Sequence, residues 1–403
     1  NLHAVSLRAL PVALAIAFAT APLDAQSSER LDIDVAIALG LTDGSIQKLF
    51  LPTRIGEAVM TEVGLAGQRF LLDLTPHSLR SEGFQLLEQR ADGLLYAVDP
   101  GPVPTLRGRL VEDDGSLVNA SLTEDGLFAR IRMSDGAEFW IQPLWKLVDF
   151  ASPEDHLVYR DEDTCDPGYT CGSDDLPENW GHVTPFTDDQ ETLAGGLKVA
   201  QLGCDADFQY YQKYGSSTTN VSNRIQSVVG TMNQQYESEV GIRHTITTII
   251  VRTSSNQPYT STDPGTLLNQ FRSEWINNQT GVTRDTAHLF TNKNLDGSVI
   301  GIAWLGVICN LSFGYGLVQS DFNNNFGCAT DLSAHELGHN WNAGHCTCAS
   351  TKMNPSITCA NTFHATLSRP PIIQHRDTRT CLGDGGGPVT LFADGFESGD
   401  FLT

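Results

Sequence analysis

His335-Glu336-Leu337-Gly338-His339-Asn340-Trp341-Asn342-Ala343-Gly344-His345 is the stretch on which the reading of this chain turns. His335 and His339 stand four residues apart, so on a helix they share one face and can hold one metal ion. Glu336 turns to the neighbouring face, close to that metal without ligating it, where it can take a proton from an attacking water. His345 follows six residues after His339. A continuing helix would carry it to the wrong side, so the helix is expected to stop and the chain to turn back. Asn342 and Gly344 mark that stop, since both residue types accept the left-handed backbone that ends helices. Three neutral imidazoles with one open position make the donor set of a catalytic zinc site, whereas structural sites are closed by a fourth protein ligand. The rival reading is a helix with surface histidines and no metal. The third histidine at its spacing speaks against it.

Outward from this stretch, 403 residues leave room for two to three domains with sizeable cores. The chain opens on Asn1, so its start is expected to lie upstream. Arg8 precedes an apolar run from Ala9 to Ala19 that is too short to span a bilayer. Residues 1–25 therefore read as a secretory signal peptide, cut after Ala25 or after Ala21. No other stretch is apolar enough to cross a membrane, and the product is expected to be secreted. Nine cysteines, at 165, 171, 204, 309, 328, 346, 348, 359 and 381, suit an oxidising compartment, and their odd number leaves at least one without an intramolecular partner. The net charge is −23, with 32 acidic against 13 basic side chains in the first 194 residues. Nothing forms a basic patch, which speaks against nucleic acid as a partner.

From Gln26 to about Trp145 the pattern is mostly strand-like. Asp32-Ile-Asp-Val-Ala-Ile, Arg69-Phe-Leu-Leu-Asp-Leu and Gly126-Leu-Phe-Ala-Arg-Ile-Arg all alternate. Asp92-Gly, Asp114-Gly, Asp125-Gly and Asp135-Gly mark hairpin turns. An antiparallel β unit over 26–160 is expected, without a catalytic constellation. Residues 161–194 read as an acidic linker with almost no apolar period. From Leu197 the order becomes strand, helix (Thr219–Val240), strand (Ile242–Val251), helix (opened by Asp263-Pro-Gly-Thr), strand (Thr286–Thr291) and strand (Val299–Gly306). Ser368-Arg-Pro-Pro opens a last short helix, with serine as its cap. Residues 383–403 are a Gly-rich tail. They lack the repeated calcium-binding nonapeptide, so calcium is left open without a motif to support it.

The histidine stretch, with Met353-Asn-Pro355 just downstream, resembles the metzincin zinc endopeptidases, whose pattern is H-E-x-x-H-x-x-G-x-x-H followed by a methionine turn. Asn342 departs from that pattern by standing where the family has glycine. Asparagine is the next best residue for a left-handed backbone. The element order from 195 to 382, Gly301-Ile-Ala-Trp-Leu-Gly-Val-Ile-Cys-Asn310 and Tyr315-Gly-Leu-Val-Gln319 resemble the reprolysin branch. The first half resembles a reprolysin prodomain, with an unrelated β-sandwich binding module as the other reading. The resemblance implies an α/β zincin-like catalytic domain with a mixed sheet, an active-site helix and a methionine turn at Met353, preceded by a mostly β prodomain.

It also implies roles. His335, His339 and His345 would hold one Zn2+, and Glu336 would be the base. Tyr315, Gly316, Leu317 and Val318 would form the edge strand to which an extended peptide adds. Cys171-Gly172 would be the latency plug, its thiolate filling the fourth metal position, with Cys165 as the alternative residue and a Cys165–Cys171 disulfide as the competing arrangement. Cys309–Cys381 would be a disulfide, while Cys346, Cys348 and Cys359 would cross-link the lower half rather than bind further metal. The function implied is that of a secreted zinc endopeptidase acting on proteins or peptides and inhibited by its own prodomain. The rivals are a non-proteolytic binding or toxin-like module on the same fold, and a zinc hydrolase of another amide.

Overall fold

The computed structural model describes residues 29–176 and 196–385. The expected signal peptide, the linker around Trp180-Gly181 and the tail beyond 385 lie outside the described residues. The first half carries β1 (Glu29–Arg30), α1 (Ile33–Leu39), β2 (Ser45–Lys48), β3 (Val59–Leu65), β4 (Gln68–Pro76), β5 (Arg80–Gln89) and β6 (Leu95–Val98). It continues with β7 (Thr105–Leu110), β8 (Asp113–Thr123), β9 (Gly126–Arg132), β10 (Glu138–Pro143), β11 (Asp155–Arg160) and β12 (Thr170–Cys171). The second half carries β13 (Lys198–Ala206), α2 (Phe208–Lys213), α3 (Thr218–Val240), β14 (Ile242–Arg252), α4 (Pro264–Asn278) and β15 (Thr286–Thr291). After them come β16 (Val299–Ala303), β17 (Tyr315–Gln319), α5 (Phe326–Asn340), α6 (Arg369–Asp377) and β18 (Gly383–Asp384).

Two sheets result. The first is antiparallel throughout, in the order β1-β2-β11-β10-β9-β8-β7-β4-β3. The second is mixed, in the order β12-β16-β17-β15-β13-β14-β5-β6, with β18 paired to β13. Its centre is parallel because α3 and α4 serve as crossovers between parallel strands. Val221, Ile225, Val228, Met232 and Tyr236 of α3 are buried at helical spacing.

Four sequence expectations change. The alternating run at Asp32 is a helix, not a strand: Asp32 caps it by accepting from Asp34 N, Val35 and Leu39 bury one face, and Gly40 ends it in the left-handed conformation. Spacing by four and a cap at each end outweigh a short alternation. Asp114-Gly115 lies inside β8 instead of at a hairpin. The hairpin β5–β6, expected in the first β unit, is built into the second sheet, where β5 runs parallel to β14 and closes its open edge. Residues 161–176, read as linker, form short 3-10 turns and β12, the outermost strand beside β16. Ser368 precedes α6 as expected, although its hydroxyl makes no capping bond.

One hydrophobic cluster runs through both halves. Val35, Leu39, Leu86, Trp140, Leu157 and Tyr159 pack in the same core as Val221, Ile225, Met232, Phe326 and Leu337. Among the described residues no helix is long and apolar enough to cross a membrane.

Candidate metal centre

Helix α5 is buried along its whole length. Asn325 caps it by accepting from Cys328 N. At the other end, Asn340 donates to the carbonyls of Trp304 (2.9 Å) and Tyr315 (3.2 Å) and accepts from the Thr286 hydroxyl (3.0 Å). That side chain sews the end of the helix to β15 and β17 and stops it there. The reversal comes at Asn342, which has φ 77°, as its residue type suggested. Gly344 is not left-handed and plays no such part. Replacing Asn342 by glycine should therefore be tolerated, whereas valine, which resists positive φ, should lower the melting temperature and weaken metal retention. Thermal melts paired with metal analysis of the two variants test this, and equal behaviour would defeat the turn argument.

The three imidazoles converge. His335 Nε2 lies 3.1 Å from His339 Nε2 and 3.2 Å from His345 Nε2, and the latter two are 3.2 Å apart. The Nδ1 atoms of His335 and His339 face the carbonyls of Lys352 and Ala343, the second at 2.7 Å. A carbonyl can only accept, so each Nδ1 carries the proton and each Nε2 presents a lone pair. His345 Nδ1 lies 2.7 Å from an Asp174 carboxylate oxygen. Lone pairs pointed at one another at this range repel unless a cation stands between them. A tetrahedral metal with bonds of about 2.0–2.1 Å would separate its nitrogen ligands by roughly 3.3–3.4 Å, close to what is found. The donor set fits a zinc-sized ion.

The fourth member is Cys171. Its Sγ lies 3.4 Å from His339 Nε2 and 3.6 Å from Glu336 Oε2, and it forms one potential ligand group with the three histidines. Cys165 is exposed and unbonded, and Cys171 is buried and unbonded, so the competing disulfide between them is absent. Burial first, then the Glu336 carboxylate, pushes the Cys171 thiol well above its usual range, and burial pushes Glu336 up to about 8. Burial likewise takes His339 down to about 3 and His335 well below its ordinary value. A bound cation reverses this logic for the thiol, since it favours the thiolate.

Backbone bonds hold Cys171 in place from both sides. Thr170 N and Gly172 N donate to the Ser298 and Gly301 carbonyls, each at 2.9 Å. Cys171 N donates to Pro355 O (3.0 Å), and Ile357 N donates to Tyr169 O (2.9 Å). Residues 169–172 thus lie as an extended strand between β16 and the segment after Met353.

This arrangement corrects the edge-strand expectation. Tyr315, Gly316, Leu317 and Val318 sit inside the sheet, with β15 on one side and β16 on the other, and all four are buried. The strand preceding them, β16, turns back antiparallel and takes the outer place, so it is the one that offers a free edge to β12. Two strands of similar apolar character gave no sign in the sequence of which lay outside.

Further residues about the site had not been singled out. Gly301 of β16 faces Glu336, and a β-carbon there would overlap the carboxylate. Gly301→Ala should therefore displace Glu336 and lower kcat about tenfold or more while metal content is kept, an outcome read by kinetics with metal analysis. Gly338 gives Met353 its place: a β-carbon would come within 2.7 Å of the Met353 sulfur, and Met353 is fully buried. Lys352, whose carbonyl holds His335, is buried with its ammonium 2.7 Å from Asp331. Ser173 Oγ accepts from Ala303 N (3.0 Å) and lies 3.1 Å from Cys171 Sγ. A lone glycine in a strand and a lysine beside the methionine were the only available signals.

Three disulfides join the described cysteines: Cys309–Cys381, as expected, with Cys328–Cys359 and Cys346–Cys348. The second ties α5 to the chain that follows Met353. Cys204 is buried and unbonded. The family model for metallo-peptidase family M12, the reprolysins, matches residues 197–371.

Proposed function

Because residues 197–371 match the family model for metallo-peptidase family M12, we propose that the protein is a secreted zinc endopeptidase held latent by a segment of its own N-terminal half. The observation that carries this reading is the convergence of three imidazole Nε2 atoms with the Cys171 thiol beside them. His335, His339 and His345 would hold the metal and Cys171 would close its fourth position until activation. Zinc, when bound, supplies Lewis acidity toward the peptide carbonyl and toward water.

The chain's own groups do the rest. Glu336 accepts a proton from the attacking water and returns it to the leaving amine. The outer edge of β16 and the carbonyl of Pro355 hold an extended peptide by backbone bonds, in the place where residues 169–172 now lie. Recognition through backbone is what an enzyme cutting protein chains needs, and it favours peptide substrates over small amides. Three disulfides among the described residues support export to an oxidising compartment.

The experiment is digestion of a denatured protein by the activated enzyme, with and without chelator. Cleavage abolished by chelator and restored by zinc is expected. Absence of cleavage by a folded, zinc-loaded and Cys171-free protein would favour the binding-module reading. Hydrolysis of small amides alone would favour the other.

A further inference from the structure

The helix that carries His335 and His339 is held at its N-terminus by the first half of the chain. The first turn of any helix leaves backbone N–H groups without intrahelical partners. Here Phe326 N donates to Gln142 Oε1 of β10 (2.8 Å) and Gly327 N to the Tyr159 hydroxyl of β11 (3.1 Å). That hydroxyl in turn donates to Asn325 Oδ1 (2.9 Å), the atom that caps Cys328 N. Asn325 Nδ2 donates to Leu39 O at the end of α1, and Gln142 Nε2 donates to Asn324 O. Phe326 itself is fully buried, with Phe128 and Trp140 edge-on to its ring at 5.0 and 5.6 Å. Two further anchors lie away from the metal. The β5–β6 hairpin closes the edge of β14, and Asn119 and Arg107 bond Gly230 O and Glu237 of α3.

Such contacts are those of a permanent interface. Trp140 and Tyr159 are 0 and 1% exposed in a core shared by both halves, and a domain built to leave would uncover that core together with the whole edge of β14. The strand that bears Cys171 has a smaller hold: four backbone bonds, the Thr170–Ser298 and Ser173–Ala303 hydrogen bonds and the Tyr169 ring on Phe322 fix it, and exposed residues at Cys165, Asp166 and Gly168 precede it.

We propose that the N-terminal sheet stays as a non-covalent subunit of the working enzyme. Gln142 and Tyr159 act as positioning residues for the metal helix, and latency resides in residues 165–176 alone. This rests on the reading of Cys171 as the plug. The partner surface on the catalytic half is the N-terminus of α5, the outer face of α3 and the edge of β14, and its occupant is residues 31–160 of the same chain.

The test is a full-length chain carrying Cys171→Ser and one engineered protease site between residues 176 and 196, so that no thiolate–metal bond holds the halves together. After cutting, size-exclusion chromatography with light scattering should show both fragments in one peak at the uncut mass. Separate elution of a monomeric, zinc-bearing C-terminal fragment would overturn the proposal. Tyr159→Phe in the same cut protein, which keeps the ring and removes only the hydroxyl, should weaken association about tenfold and speed zinc loss to chelator. Unchanged values for both would remove Tyr159 from the positioning role. Co-elution is read without activity, so a cut protein that co-elutes yet cleaves nothing would sink the endopeptidase reading and leave this one standing.

Discussion

Cys171→Ser is expected to turn the uncut protein from nearly inactive to active, a rise of orders of magnitude without any cleavage. The thiol stands 3.4 Å from His339 Nε2 and covers Glu336, so while it is in place neither a water nor a peptide carbonyl can reach the position between them. A serine hydroxyl is a far poorer zinc ligand than a thiolate. The strand would still have its backbone bonds to β16 and to Pro355, so the activity released should rise further as peptide substrate competes for the same edge. Cys165→Ser is the control. Cys165 is exposed and unbonded, and its loss should leave latency intact. Assays of uncut wild type and both variants on a peptide pool decide the matter. Activation by the Cys165 change, or silence of the Cys171 variant, would move the cause of latency elsewhere.

Glu336→Gln is expected to leave about one zinc per chain and to remove activity by a factor of ~10²–10⁴ or more, the range of a lost general base. Glutamine keeps the volume beside Gly301 and the packing under β16 but cannot accept the water's proton. His339→Ala should do the reverse and lose most of the metal, because one of three converging nitrogens is gone. Both proteins should be measured for zinc content and for cleavage in the Cys171→Ser background, where latency does not mask the result. A glutamine variant that arrives without zinc would make Glu336 a ligand, and one that stays fully active would remove it from the chemistry.

Much of the site was legible from local spacing alone. Residues four apart share a helix face wherever the helix lies, so the pairing of His335 with His339 needed no tertiary knowledge. The left-handed turn at Asn342 was likewise a property of one residue type, and φ 77° there agrees with it. The helices α3 and α4 announced themselves through apolar period, and α4 through its cap at Asp263 as well, whereas the cap of α3 is Ser217, two residues before the expected start at Thr219. Cys171-Gly172 could be proposed as a plug only by resemblance, because its partners lie more than 160 residues away and its rival, a bridge to Cys165, was local.

What the chain alone could not decide is which strand lies outermost. Order in a sheet is settled by long-range pairing, and β16 and β17 are both short apolar runs whose composition is the same whether they face a neighbour or a peptide. The same holds for β5, whose alternation suits either sheet and which joined the one with an open edge at β14. Local spacing therefore determined that His335 and His339 share a face, that Glu336 stands beside them and that the chain turns to bring in His345. Tertiary structure decided that β16 is the strand beside which Cys171 lies, and that Gln142 and Tyr159 from the other half bond the N-terminus of α5, because those facts depend on hydrogen bonds between residues remote in sequence.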